Sequence, residues 1–252
     1  AADLAPLHLL ALTAGFHVVT ANKLPLSGTL ADYRALVAAR DSTGVSYGYE
    51  TTFGAGLPVL HTLKELVATG DELVAVSGCF SGTLGYLCTV LQDGMDPLDA
   101  VRRAAELGYT EPDPREDLSG RDVARKAVII ARAMGMPLEP DDVELTPFVP
   151  GLEAGLEAAL VSWRGPLRQL LHDADEQGAV LRYVAEVTRE GVRVGLVAVP
   201  AGSAIGAVRG PDNILVFRTR RYSDNPLVIR GPGAGAVVTA AGVLGDVLRI
   251  VR

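Results

Sequence analysis

At 252 residues, 48% of them hydrophobic, the chain is long enough to bury a substantial core in one large domain or two smaller ones. A net charge of −7 and the lack of any arginine or lysine cluster interleaved with aromatics argue against nucleic acid as a partner and favour a small molecule. No apolar run is long enough to span a bilayer and no secretory or transit signal opens the chain, so the sequence reads as cytoplasmic and free of membrane.

The first elements follow helix, strand, loop, helix. Leu4 to Ala14 predicts an apolar helix ended by Gly15, His17 to Thr20 a short buried strand, Ala21-Asn22-Lys23 a loop, and Leu30 to Arg40 a second helix. This is the rhythm of a doubly wound nucleotide fold, which ordinarily begins with a strand and a glycine-rich turn. The expectation is therefore an incomplete nucleotide-binding domain over residues 1–44, with its first half missing. From Val45 the pattern changes, and a second domain is expected over 45–228. It reads as a strand over VSYGYETTF, the turn GAGLP, a helix from Leu60 to Ala68 and a strand over ELVAVSGCF. Helices near Pro97 to Leu107 and Gly120 to Met134 flank an acidic, proline-containing loop. Strands at Leu181 to Val187, Val192 to Val199 and Asn213 to Thr219 complete a mixed or antiparallel sheet with helices on one face. Residues 229–252 read as strand, glycine-rich turn and helix, returning to the first domain. The fold class is thus α/β plus α+β: an incomplete Rossmann-like domain followed by a mixed-sheet α+β domain.

Lysine is the most telling residue type. Only Lys23, Lys64 and Lys126 are lysines, while 20 of the 23 basic residues are arginine. An amine can surrender a proton when desolvated and a guanidinium cannot, so each lysine asks for its own explanation. Asp122 and Lys126 are four apart and share the face that continues into Ile129, Ile130 and Ala133, whereas Arg121, Arg125 and Arg132 read as solvated. Two readings fit the pair: a helix-surface ion pair, or a proton-transfer pair turned inward. The rarity of lysine favours the second. The loop before it carries Glu111, Asp113, Arg115, Glu116 and Asp117. It is either a solvated acidic surface or, stiffened by two prolines, a fixed carboxylate array for recognising an amino group. Lys23 follows a strand at its carboxyl end, where open α/β sheets bind ligands. Lys64 reads as an exposed helix residue, and Cys79 and Cys88 as reduced packing residues. In GYETTFGAGLP, Glu50 beside a glycine-bearing turn fits a backbone-carbonyl cation site or an ordinary tight turn. GPGAGA offers a close approach to a pyrophosphate without matching the dinucleotide fingerprint.

Five segments, VVTANK (18–23), ETTFGAGLPV (50–59), SGTLGYL (81–87), GYTEPDPREDLSGRDVARK (108–126) and GPGAGAVVTAAGVLGDVL (231–248), together resemble the homoserine dehydrogenase family, most closely its form fused to aspartokinase. The resemblance implies NADH- or NADPH-dependent reduction of L-aspartate 4-semialdehyde to L-homoserine, on the route to threonine, methionine and isoleucine. It assigns catalysis and dimerisation to the mixed-sheet α+β domain, and it implies roles as well. Lys126 is the acid/base lysine and Lys23 the lysine that holds the carbonyl oxygen. Glu111 and Asp122 bind substrate, Asp117 is linked to the proton path, and Tyr109 and Thr110 shape the pocket. Asn22 and Gly235, with Lys23, lie on the cofactor side. Glu50, Phe53, Ala55 and Leu57 form a monovalent-cation site, ordinarily for sodium, and the assembly is a homodimer. The competing readings are a truncated, non-catalytic module that binds an amino acid or a dimer partner, and another amino-acid semialdehyde oxidoreductase.

Overall fold

The computed structural model describes residues 3–251. Helix α1 (Ala5–Thr13) leads to strand β1 (Val18–Val19), the single turn α2 (Leu24–Ser27) and α3 (Leu30–Thr43). Thr29 caps α3 by accepting from Asp32 N at 3.1 Å, and Gly44, at φ +69°, ends it. Strand β2 (Tyr47–Gly48) pairs in parallel with β1. The strand expected over VSYGYETTF is therefore two residues long: Glu50–Thr52 curl into a 3-10 turn, with Thr52 N and Phe53 N donating to Tyr49 O and Glu50 O.

Helix α4 (Val59–Ala68) and strand β3 (Leu73–Cys79) follow, then α5 (Gly82–Gln92), α6 (Pro97–Glu106), α7 (Pro114–Leu118), α8 (Arg121–Ala133), β4 (Glu144–Leu145), α9 (Leu156–Glu176), β5 (Ala179–Thr188), β6 (Val192–Pro200), β7 (Asp212–Thr219), β8 (Leu227–Pro232) and α10 (Ala236–Val251). Two of these helices escape the sequence reading because they carry helix breakers: α5 contains Gly82 and Gly85, and α9 contains Pro166. Tertiary burial of Leu84, Leu87 and Cys88 in α5, and of Leu160, Trp163 and Leu167 in α9, outweighs the poor local propensity. Among the described residues, no helix is long and apolar enough to cross a membrane.

Strands β4-β6-β5-β3-β7-β8, in that order, form a six-stranded sheet, antiparallel except for the β4–β6 pair. Leu181, Tyr183, Ala185 and Val187 of β5 face the main core with residues of α5, α8 and α9. The opposite face buries only a small cluster, Cys79, Val184, Val208 and Ile214, and exposes Val197 and Val228. Helix α10 leaves this sheet and packs on β1, β2 and the 3-10 turn. It is fastened there by Asp246, whose Oδ2 accepts from Glu50 N and whose Oδ1 hydrogen-bonds His61 Nε2, each at 2.9 Å.

Helix α8 lies at the centre of the molecule, and from Lys126 to Arg132 every residue is buried. Arg132 is consequently not solvated, contrary to the sequence reading: with both sheet and helices around it, no face of α8 remains open at this depth. Its guanidinium donates to Leu26 O and Gly28 O at 2.7 Å each, and to Leu138 O, bracing the segment that carries Lys23 against α8. Lys64 is also not freely exposed. Its ammonium sits 3.9 Å above the Tyr49 ring, and burial lowers its pKa. At the start of α8, Gly120 adopts φ +73°, and a Cβ there would lie 1.9 Å from Tyr183 Oη, so the turn into the helix requires glycine.

Replacing Arg132 by methionine keeps apolar volume but strands two buried carbonyls, of Leu26 and Leu138, and the part-buried one of Gly28. Unfolding free energy measured in urea is expected to fall by about 3 kcal/mol, while Arg125→Met on the exposed side of α8 changes it by less than about 0.5 kcal/mol. Equal midpoints for the two variants would remove the bracing role.

Candidate active site

Strand β3 ends at Cys79, and the next residue, Phe80, is fully buried with its carbonyl turned to α8. Lys126, 8% exposed, donates from Nζ to Phe80 O at 2.7 Å and pairs with Asp122 Oδ2 at 2.8 Å. The other oxygen of the same carboxylate, Oδ1, lies 3.2 Å from Lys23 Nζ, which α2 brings in directly after β1. One aspartate thus holds two ammonium groups from segments a hundred residues apart in sequence. Burial alone would push the Asp122 carboxyl up, but the charges of Lys126 and Lys23 outweigh it and hold the pKa at about 2.

Beside this triad the 108–120 loop is pinned by Asp117. Its Oδ2 accepts from Glu111 N at 2.8 Å, and its Oδ1 lies 3.1 Å from Thr83 Oγ1, which also donates to Tyr109 O. Burial raises the Asp117 pKa, and the charges of Glu111 and Asp122 add to the rise against the hydrogen bonds that lower it. Asp117 is therefore within electrostatic reach of both other carboxylates. Glu111 and Tyr109 are exposed and Thr110 is half-buried, with the Tyr109 ring 5.0 Å from that of Tyr86. The acidic loop is a built element with its own helical turn, α7, capped by Asp113 accepting from Arg115 N at 3.0 Å.

The remaining expected residues lie on elements around this centre. Asn22 is half-buried after β1, where its Oδ1 accepts from Leu24 N at 3.0 Å and starts α2. Gly235, at φ +126°, precedes α10 and accepts from Thr239 N. Glu50 is 4% exposed and both its carboxylate oxygens are spent on the first turn of α4, accepting from Leu60 N and His61 N at 2.8 Å each. Its side chain serves the helix, so a cation at this loop would draw on backbone carbonyls of Phe53, Ala55 and Leu57. Ala55 is the one non-glycine residue with positive φ among those described, at 55°. Phe53 stacks edge-on against Phe80, with ring centroids 4.8 Å apart, which links this loop to the carbonyl that anchors Lys126. Sequence reasoning missed the Phe80 carbonyl and the Thr83 hydroxyl. The first has no side-chain signal, and the second stood unexamined inside SGTLGYL.

The model of the homoserine dehydrogenase family matches residues 58–248. The chain belongs to the homoserine dehydrogenase family. It is 43% identical over 248 residues to bifunctional aspartokinase/homoserine dehydrogenase 2 of Zea mays, covering 95% of this chain and 27% of that protein. It is 40% identical over 259 residues to the homoserine dehydrogenase of Emericella nidulans, covering 96% of this chain and 70% of the fungal one. The chain thus spans about a quarter of the maize protein's length and more than two thirds of the fungal protein's. Its fold also matches a hyperthermophilic archaeal homoserine dehydrogenase in complex with NADPH, with TM-score 0.77, 24% identity, and 98% and 68% of the two chains covered.

The depressed Asp122 pKa sets a pH dependence. Because its folded value lies below that of an unfolded aspartate, about 3.9, the ion-paired carboxylate contributes stability above about pH 4 that is lost as pH falls through about 2. The difference in urea midpoint between the native chain and Asp122→Asn is expected to shrink across this window. A difference that stays constant between pH 5 and 2 would show that the carboxylate is not held by the two lysines.

Proposed function

We propose that the chain carries the substrate-binding and catalytic part of a homoserine dehydrogenase, interconverting L-aspartate 4-semialdehyde and L-homoserine with NADH or NADPH. The observation that carries this reading is the Lys126–Asp122–Lys23 bridge, with Lys126 anchored at a buried carbonyl. An ammonium has three N–H donors; Phe80 O and Asp122 Oδ2 use two, and the third serves the substrate's carbonyl oxygen. When bound, the dinucleotide supplies hydride to the carbonyl carbon. As charge builds on the oxygen, Lys126 gives it a proton and Lys23 stabilises it as a fixed cation, an arrangement suited to a dry, preorganised site. Asp122 keeps both amines in place. Glu111, exposed at the mouth, takes the substrate ammonium, with Tyr109 and Thr110 shaping the pocket and Asp117 fixing the loop behind them. Asn22 and Gly235 would hold the nicotinamide side of the cofactor. A sodium ion would sit among the carbonyls of Phe53, Ala55 and Leu57, with Glu50 contributing through its backbone.

Assays of homoserine-dependent reduction of NAD+ and NADP+ in the full-length gene product test this. Lys126→Ala and Lys126→Arg are each expected to lose about 100-fold or more in kcat, since arginine keeps the charge but holds its proton. Lys23→Ala should lose comparably, and Glu111→Gln mainly raises KM. The same assay in sodium against tetramethylammonium chloride should favour sodium. A folded native protein without turnover would turn the reading toward an amino-acid-binding module, and full activity in Lys126→Ala would remove Lys126 as the proton donor.

The chain is further proposed to form a homodimer through the exposed sheet face bearing Val197 and Val228, and to work in the cytoplasm, where the buried, unpaired Cys79 and Cys88 remain thiols. Sedimentation equilibrium giving twice the chain mass, and half of that in a Val197→Asp/Val228→Asp variant, is expected; a native monomer discards the dimer.

A further inference from the structure

Asn213 is 1% exposed, the second residue of β7, and pairs across the sheet with Gly231 of β8. Its Nδ2 lies 3.4 Å from Phe80 O, the carbonyl that accepts from Lys126 Nζ at 2.7 Å. Its Oδ1 is buried and has no hydrogen-bond partner among the described residues. On its other side the amide rests on Gly233: a Cβ added there would lie 1.8 Å from Nδ2 and 2.1 Å from Cγ. Gly233 is two residues before Gly235, in the turn that feeds α10. For stability alone this is a poor choice of residue. A leucine has nearly the same shape and leaves no polar atom unsatisfied in the interior, whereas a carboxamide with an orphaned oxygen costs free energy. The amide is retained where its two neighbours are the anchor of Lys126 and the glycine turn on the cofactor side.

We propose that Asn213 is a positioning residue for the reaction, fixing the Phe80 carbonyl, and through it the direction of the Lys126 ammonium, relative to the Gly233 turn. The proposal rests on the reading of Lys126 as the proton donor. A carbonyl oxygen has two lone pairs; with the ammonium on one and the amide N–H on the other, it is held from both sides. Removing the amide leaves the ammonium as its sole guide, and carbonyl and ammonium then turn together. The third N–H of Lys126 no longer points along one direction. Because proton transfer depends steeply on that geometry while substrate binding rests on the 108–120 loop, the effect falls on turnover and not on affinity.

The test uses Asn213→Leu and Gly233→Ala in the full-length gene product, the second forcing the amide aside from the opposite direction. Asn213→Leu is expected to melt at the same or a higher temperature than the native protein, yet lose about tenfold in kcat with KM for homoserine within about twofold. Gly233→Ala should reproduce the kinetic signature, and the double variant should lose no more than the worse single one. The chain has only three lysines, so ¹³Cε-labelled lysine gives a small set of resonances. That of Lys126, identified by its loss in Lys126→Arg, should shift in Asn213→Leu while that of Lys64 stays. Unaltered kcat and an unaltered Lys126 resonance would assign Asn213 to packing and overturn the proposal. Full activity in Lys126→Ala would instead remove the underlying reading, and the proposal with it.

Discussion

The shared carboxylate of Asp122 is the interaction on which the site depends. Two ammonium groups brought close together repel each other, and without a counter-charge the segments that carry them would be driven apart. Asp122 solves this by giving one oxygen to each lysine, at 2.8 and 3.2 Å. The consequence is architectural. Lys23 belongs to the small parallel pair β1–β2 and Lys126 to the helix under the large sheet, so the carboxylate also joins the two parts of the molecule. Arg132 makes a second joint between the same segments, ten residues along α8, and makes it chiefly by hydrogen bonds to carbonyls, with the Glu139 carboxylate 4.0 Å away. The first joint rests on a carboxylate shared by two amines; the second rests mainly on backbone carbonyls.

The carboxylates divide along the same line. Asp122 is held ionised by the two amines, whereas Asp117, without a cation in contact and with Glu111 and Asp122 near, has its pKa raised by burial. Two aspartates five residues apart are thereby pushed in opposite directions, a separation characteristic of sites that move protons. Asp117 is nevertheless tied into the fold through Glu111 N and Thr83, so its first duty is to shape the loop, and any part in proton movement runs through that fixed position.

Much of this was legible in the sequence, and the reasons are specific. Helical spacing put Asp122 and Lys126 on one face, and three lysines against twenty arginines singled out the amines worth explaining. Strand runs near 181–187, 192–199 and 213–219 are close to the observed β5, β6 and β7. What could not be read was contact that leaves no side-chain trace or joins distant segments. Phe80 serves through its carbonyl, so any residue type there would look the same. Arg132 appeared solvated because helical periodicity puts it on the face of Arg125, which is exposed, whereas the last turns of α8 are covered on every side. The partners of Glu50, Asp246 196 residues away and the first turn of α4, could not be read from its own turn.

The 50–57 loop, remote in sequence from Lys126, reaches it through Phe80. Phe53 packs its ring edge-on against the Phe80 ring, while the Phe80 carbonyl faces Lys126 and Asn213. Ring and carbonyl belong to one residue, so the 50–57 loop packs against the residue whose carbonyl anchors the ammonium. That loop has little freedom of its own. Its first residue caps α4, its glycine at 56 lies so close to α10 that a Cβ would come within 2.3 Å of Val238 O, and α10 is held in turn by Asp246. The glycine turn at 233–235 begins that same helix. Two routes therefore run from α10 to the Lys126 anchor, one through the 50–57 loop to the Phe80 ring and one through Gly233 and Asn213 to its carbonyl. An aromatic ring packed by dispersion tolerates small displacements, whereas a hydrogen-bonded carbonyl does not, so the second route transmits direction and the first sets distance.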